Sequence, residues 1–210
     1  MIRDIRPFDK ESLLGWLRNE AGVNHHEWFG TGLFQGNLEI QQVPEEYVEY
    51  LWFLKEGRFK SYLNIGIGKG GSFLTETYIQ PDLEISVAVD NSSYWQGDQK
   101  SSIQEKMEWL RSNAECEVEF HDSDSVEWLK SNSFRKFDVI FIDGDHSYEG
   151  VKRDFENSLP LLSEGGSVIF HDINSRGCEG VVRFWNEIKN DACVQFVSSQ
   201  TCGIGIWKSA

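Results

Sequence analysis

The sequence predicts an α/β domain: a mostly parallel sheet with helices on both faces, preceded by a helical extension. Three observations carry this expectation. From residue 62 onward, short apolar runs rich in Ile, Val and Phe alternate with amphipathic stretches. Such alternation requires crossover connections, hence parallel strands covered on both sides. Two apolar runs then follow in quick succession near the end of the chain, a hairpin signal that makes the edge strand antiparallel.

The elements follow in order. Residues 11–19 and 45–55 read as helices flanking a Gly- and aromatic-rich stretch, 22–36, which reads as a loop or lid. Strands are expected at 62–67, 84–89, 117–120, 137–142 and 167–170, with helices between them at 72–79, 99–112, 125–131 and 148–162. In the second of these helices Ile103, Met107 and Leu110 recur at i, i+4 and i+7, one face of a helix. A helix at 181–189 precedes strands at 194–198 and 204–208, which brings the strands to seven. The chain thus divides into an extension with a lid, 1–60, and a sheet domain, 61–210.

With 210 residues the chain is long enough for one such core. Acidic residues outnumber basic ones 34 to 20, a formal charge of -14. Such a surface repels phosphate backbones and anionic membranes but tolerates a cationic ligand. No apolar run approaches the roughly 20 residues of a membrane span, and residues 1–10 lack the apolar segment of a secretory signal. Cys116, Cys178, Cys193 and Cys202 are scattered, without the spacing of a zinc site or a disulfide framework. The expectation is a cytoplasmic protein acting on a small molecule, with no nucleic-acid or membrane partner.

Asn64-Ile65-Gly66-Ile67-Gly68-Lys69-Gly70-Gly71-Ser72 closes the first strand and opens the helix after it. Glycines let the backbone turn sharply against a ligand, and the helix start presents unpaired N–H groups. Gly66, Gly68 and Gly71 satisfy G-x-G-x-x-G. Asp90 follows the next strand, about 20 residues beyond the glycines, where an acid accepts hydrogen bonds from ribose hydroxyls. The pair points to an adenosine cofactor and leaves its identity open, NAD(H) included. The fourth strand runs into Asp143-Gly144-Asp145-His146 and the fifth into His171-Asp172. Carboxylates from neighbouring strand ends can hold one hard divalent cation. His146, titrating near neutrality, can accept a proton beside it. The plainer alternative is that these acids cap the following helices and that His146 only orders its turn.

Taken together, residues 64–72, Asp90, His121-Asp122-Ser123, 137–151 and 161–173 resemble the motif series of class I S-adenosylmethionine-dependent methyltransferases. The nearest likeness is to the catechol-type, macrolide-sugar and cephalosporin-biosynthesis O-methyltransferases. Residues 137–173, FDVIFIDGDHSYEGVKRDFENSLPLLSEGGSVIFHDI, are the specific part. The resemblance implies a Rossmann-like seven-stranded sheet and a cofactor site at Asn64, Gly66, Gly68, Gly71, Ser72, Asp90, Asp122 and Ser123. In it the glycine turn holds the methionine moiety, Asp90 the ribose, and Asp122 and Ser123 flank the adenine. Asp143 and Asp172 are implied ligands of Mg²⁺ or a similar cation. His146 falls where catechol-type enzymes carry a catalytic lysine. Two positions depart from the pattern: Asn64 replaces an acid, and His171 stands where a carboxylate often precedes the second metal ligand.

The expected reaction is methylation of a small-molecule or sugar hydroxyl. An NAD(H)-dependent oxidoreductase would use the same glycine turn but leave Asp143, His146 and Asp172 unexplained. A non-catalytic adenosine-ligand-binding module is the other alternative. Specificity is expected in 22–36, with His25, His26, Trp28 and Phe29, and in 174–180; the aromatics of the first segment would equally suit an interface in a homo-oligomer.

Overall fold

The structure, a computed structural model, describes residues 4–21, 38–94, 99–198 and 202–208. Helix α1, Lys10–Asn19, begins where the Asp9 carboxylate accepts the Ser12 amide at 2.8 Å, satisfying one N–H that has no partner inside the helix. Helix α2, Pro44–Gly57, starts on a proline, whose missing N–H is no loss in a first turn.

From there strands and helices alternate as expected: β1 Ser61–Ile65, α3 Gly71–Ile79, β2 Ile85–Asp90, α4 Gln99–Asn113, β3 Glu117–Asp122, α5 Ser125–Ser131, β4 Phe137–Ile142, α6 Tyr148–Ser158, β5 Leu162–Phe170, α7 Glu179–Ile188, β6 Val194–Phe196 and β7 Ile204–Trp207. The sheet order is β3-β2-β1-β4-β5-β7-β6. The first five strands pair in parallel. The antiparallel edge is the β6–β7 hairpin, with β7 set between β5 and β6. From β1 the chain moves outward to β2 and β3, then returns to β4 on the other side. The connections therefore diverge between β1 and β4, the crevice where open α/β sheets bind ligands.

Most boundaries fall within about two residues of the sequence pattern, and two differ by more. The helix expected over 148–162 stops at Ser158, and one 3-10 turn, Leu159–Leu161, follows, because Pro160 cannot donate to a continuing helix. The fifth strand begins at Leu162, not 167. Leu162 already pairs with Phe137, and a register shift before Val139 absorbs the polar, Gly-rich residues that look like a turn.

Alternate strand residues feed two cores. Tyr62, Val139, Phe141 and Ile169 pack with α1, α2, α3 and α4. Leu63, Ile65, Ile140, Val168 and Phe170 pack with α5, α6 and α7 on the opposite face. The N-terminal helices share the first core: Leu13 and Trp16 of α1 and Tyr47 and Leu51 of α2 are buried in it, and Tyr50 stacks on Phe141 at 5.3 Å. The buried Glu46 carboxylate on α2 also accepts the Ser198 amide at 2.7 Å and the Gly203 amide at 2.8 Å, tying the extension to the C-terminal hairpin. Among the described residues no helix is long and apolar enough to cross a membrane.

Candidate active site

A cavity of about 510 Å³ lies at the carboxyl ends of the central strands. Its walls include Gly66 and Gly68 after β1, Asp90 at the end of β2, Ser123 after β3, and Asp143 and His146 after β4. The glycine turn makes this crevice in two ways. Gly66 has φ +83°, and a Cβ on it would lie 2.3 Å from the Asp143 carbonyl oxygen, so only glycine lets the β1 and β4 ends close up. Gly68, at φ +53°, is less crowded: among the described residues the nearest atom a Cβ would meet is Gln41 Oε1 at 3.9 Å. Gly71 serves another purpose, since a Cβ there would meet the Leu38 carbonyl oxygen; it admits the 38–39 segment over the start of α3.

The Asp90 carboxylate accepts the Ile67 amide at 2.8 Å, and the Asp90 carbonyl accepts the Ser123 amide at 2.9 Å. One acid thus joins the glycine turn to the β3 end. Asp122 stands beside the cavity and does not line it. Its side chain accepts the Ser92 amide at 2.9 Å, and hydrogen bonds from Ser92 hold its carboxyl below the usual range. Asn64, Gly71, Ser72 and Asp172 are likewise not lining residues. Asn64 belongs to a buried polar group on the other side of β1. Its Nδ2 donates to Glu76 Oε2 at 2.9 Å, while the Tyr47 and Tyr62 hydroxyls donate to the same carboxyl at 3.2 and 2.7 Å. The Ser72 carbonyl accepts from Tyr47 as well. Burial pushes Glu76 up to about 7 despite these donors, with the Asp143 charge adding to the rise.

The sequence reading missed Glu76, although it is the lone acid in the apolar helix α3. Asp154 was missed too. Gly150, Arg153 and Asp154 line the cavity from one face of α6, spaced at i, i+3 and i+4. Ser125 Oγ donates to Asp154 at 2.6 Å, yet burial raises this carboxyl to about 6. With Asp90, Asp124, Asp143 and Asp145 also in its walls, against Arg153, the cavity is strongly acidic.

At the ends of β4 and β5 the expected residues meet. His146 Nε2 lies 3.2 Å from Asp143 Oδ1 and 3.3 Å from Asp172 Oδ2. His171 Nδ1 lies 3.2 and 3.4 Å from the same two oxygens. Asp172 adopts φ 61°, a left-handed conformation unusual for a residue with a Cβ, and its Oδ2 accepts from Cys178 Sγ at 3.2 Å. Burial raises the Asp143 carboxyl, but the charges and hydrogen bonds of His171 and His146 outweigh it and hold the group well below the carboxylate range. Burial lowers both imidazoles, and the two carboxylates more than reverse that. This corrects one expectation: His146 does not titrate as an ordinary histidine, because its carboxylate partners hold its proton to higher pH. Burial, then the Asp172 charge, pushes the Cys178 thiol up to about 12.

Of the two loops expected to set specificity, 22–36 lies outside the described residues. The other follows β5, and Asn174, Ser175, Arg176 and Glu179 line a second, shallower cavity.

A family model described as a methyltransferase domain matches residues 63–173, just over half of the chain. A curated relative, the uncharacterized protein y4gI of Sinorhizobium fredii, is 44% identical over 52 residues, 24% of this chain; the match covers 6% of that relative's length. Solved structures of similar fold include the O-methyltransferase of Bacillus cereus in complex with SAH, 20% identical with a TM-score of 0.57, over 81% of this chain and 83% of that one. The SAH-bound methyltransferase of Podospora anserina is 16% identical with a TM-score of 0.59, over 81% and 80%. The O-methyltransferase of Streptomyces achromogenes involved in tomaymycin synthesis, in complex with SAM, is 18% identical with a TM-score of 0.55, over 79% of each chain. At such identities the likeness speaks for the fold.

Proposed function

The chain belongs to the methyltransferase-domain family, and on that premise we propose that it methylates a hydroxyl of a small molecule or sugar with S-adenosylmethionine, aided by a divalent cation. The observation that carries this reading is the acidic cavity lined by Gly66, Gly68, Asp90 and Ser123 together with Asp143 and His146. Its volume lies within the range of small-ligand sites. Its carboxylates suit a sulfonium and oppose the pyrophosphate of NAD(H), the oxidoreductase alternative.

S-adenosylmethionine supplies a methyl carbon activated by its positive sulfur. The chain's part is to hold the acceptor oxygen in line with that carbon. In this reading Gly66 and Gly68 give the methionine moiety close approach to the backbone, Asp90 accepts from the ribose, and Ser123 borders the adenine. Asn64, Gly71, Ser72 and Asp122 support that wall from behind. Residues 1–60 act as an extension on a catalytic domain of 61–210, supported by the core that α1 and α2 share with the sheet. Four free thiols favour a cytoplasmic setting.

The Asp143 and Asp172 carboxylates flank the same two imidazoles, His146 and His171, and two acids so close would suit a divalent cation such as Mg²⁺. A cation bound there would supply Lewis acidity to a substrate oxygen and would offset the carboxylate charge beside His146. His146, next to both carboxylates, would accept the proton of the acceptor hydroxyl.

Calorimetry tests the cofactor assignment. SAH is expected to bind in the micromolar range, about -8 kcal/mol, with NAD⁺ much weaker. Asp90→Ala should weaken SAH binding by about 1.5–3 kcal/mol through loss of charged acceptors. Tighter binding of NAD⁺, or SAH affinity unmoved by Asp90→Ala, would overturn the reading.

A further inference from the structure

Besides its two carboxylates, the group at the β4 and β5 ends contains nitrogen and sulfur donors. A nitrogen of His171, a carboxylate oxygen of Asp172 and Sγ of Cys202 all lie within 4.8 Å of one another. His171 is 6% exposed. Its Nδ1 faces Asp143 and Asp172, whereas its Nε2 is buried without a hydrogen-bond partner among the described residues. An unpartnered polar nitrogen in the interior carries a desolvation penalty that a ligand would relieve.

The backbone around Cys202 is fixed as well. The Asn174 amide donates to the Cys202 carbonyl at 2.8 Å, and the Ile173 amide donates to the Gly203 carbonyl at 3.2 Å. Glu46 holds the Gly203 amide from the opposite side. These bonds strap Cys202 and Gly203 to the residues directly after Asp172, so two separate segments of the chain hold the backbone beside the carboxylate. Asp172 itself sits in a left-handed conformation, the kind of strain found where side-chain direction matters more than backbone comfort.

We propose that the cation site is completed by His171 and Cys202 together with Asp172, and that its resident ion is a borderline transition metal such as zinc or iron(II), not Mg²⁺. The inference rests on the reading above that a divalent ion binds at the β4 and β5 ends; it keeps Asp172 as a ligand and moves Asp143 behind His171. Mg²⁺ takes oxygen ligands and near-octahedral geometry. Imidazole and thiolate select ions further along the divalent series. Asp143 serves this site as the carboxylate that accepts from His171 Nδ1, fixing the ring so that Nε2 carries the lone pair. Binding releases two protons to solvent, one from the Cys202 thiol and one from the His171 imidazolium. His146 stays outside the donor set and keeps its proposed proton-accepting role.

Cobalt(II) titration of the full-length protein, followed by absorption, reads this without an activity assay. The wild type should develop a near-ultraviolet thiolate-to-cobalt band, abolished by stoichiometric zinc and unaffected by excess Mg²⁺. Cys202→Ser and His171→Asn should bind cobalt roughly 10- to 100-fold more weakly, the first also losing the band, whereas Cys178→Ser should retain it. Loss of the band in Cys178→Ser with retention in Cys202→Ser overturns the donor set. Mg²⁺ that competes with cobalt on equal terms, with no thiolate band in the wild type, overturns the proposal but leaves Asp143 and Asp172 as cation ligands. Failure of the wild type to bind any divalent ion overturns both.

Discussion

The carboxyl ends of β1 and β2 and those of β4 and β5 lie side by side, yet they are built from different materials. The first pair is shaped by backbone: glycines with positive φ, an amide of Ile67 on Asp90, and room beside Gly68 among the described residues. The second pair is packed with side chains whose charges depend on one another, two carboxylates interleaved with two imidazoles. A wall of the first kind can accept a ligand without rearranging its own bonds. A cluster of the second kind holds part of the fold together, so a change there perturbs stability before it perturbs chemistry.

The sharpest break in this contrast comes from removing one charge at each end. Asp143→Asn leaves His171 as a buried cation short of one carboxylate and should lower unfolding free energy by about 3–5 kcal/mol. Asp90→Asn keeps an oxygen for the Ile67 amide and should lower it by about 1 kcal/mol or less. Urea denaturation of the two variants compares them directly, and equal losses would erase the distinction.

A slightly smaller effect concerns Glu76, whose raised value reflects burial first and the neighbouring Asp143 charge in part. Its folded value is about 7 against an ordinary 4.5. Between these the native state binds more protons than the unfolded chain, so the stabilisation is complete below pH 4.5, declines as pH rises towards 7 and levels off above. The decline is on the order of 3 kcal/mol. Glu76→Gln should remove it, seen as a flatter stability profile across that window; an unchanged slope would mean that the carboxyl titrates normally.

The smallest expected effect separates two glycines of one turn. Both Gly66→Ala and Gly68→Ala force a Cβ into a left-handed conformation, but only the first also drives it against Asp143. Gly66→Ala should be the more destabilising by roughly 1–3 kcal/mol. Thermal melts of both variants would show it, and the reverse order would place the tight approach elsewhere.

The same contrast explains what the sequence made legible. The glycine turn, Asp90 and the acids after β4 and β5 were found because backbone demands leave fixed spacings: a glycine where φ is positive, an acid where a parallel strand ends. The alternation of strands and helices came through for the same reason. Boundaries failed where one local pattern imitates another, as residues 163–166 look like a turn while still following the sheet. Side-chain partnerships were harder. Asn64 was read as facing a cofactor, but its partner is Glu76, one helix away. Nothing near position 171 signals a thiol 31 residues later at position 202, since the hairpin that joins them is a property of the finished sheet.

The bonds from Glu46 to Ser198 and Gly203 span 152 and 157 residues of chain. During synthesis α2 is made long before those amides exist, so its carboxylate must stay hydrated until the final strand arrives. Contacts of such sequence separation form late, because the loop they close is long. The seating of α2 and the insertion of β7 are thus coupled in energy, since a change that unseats either one leaves the buried Glu46 carboxylate without these donors.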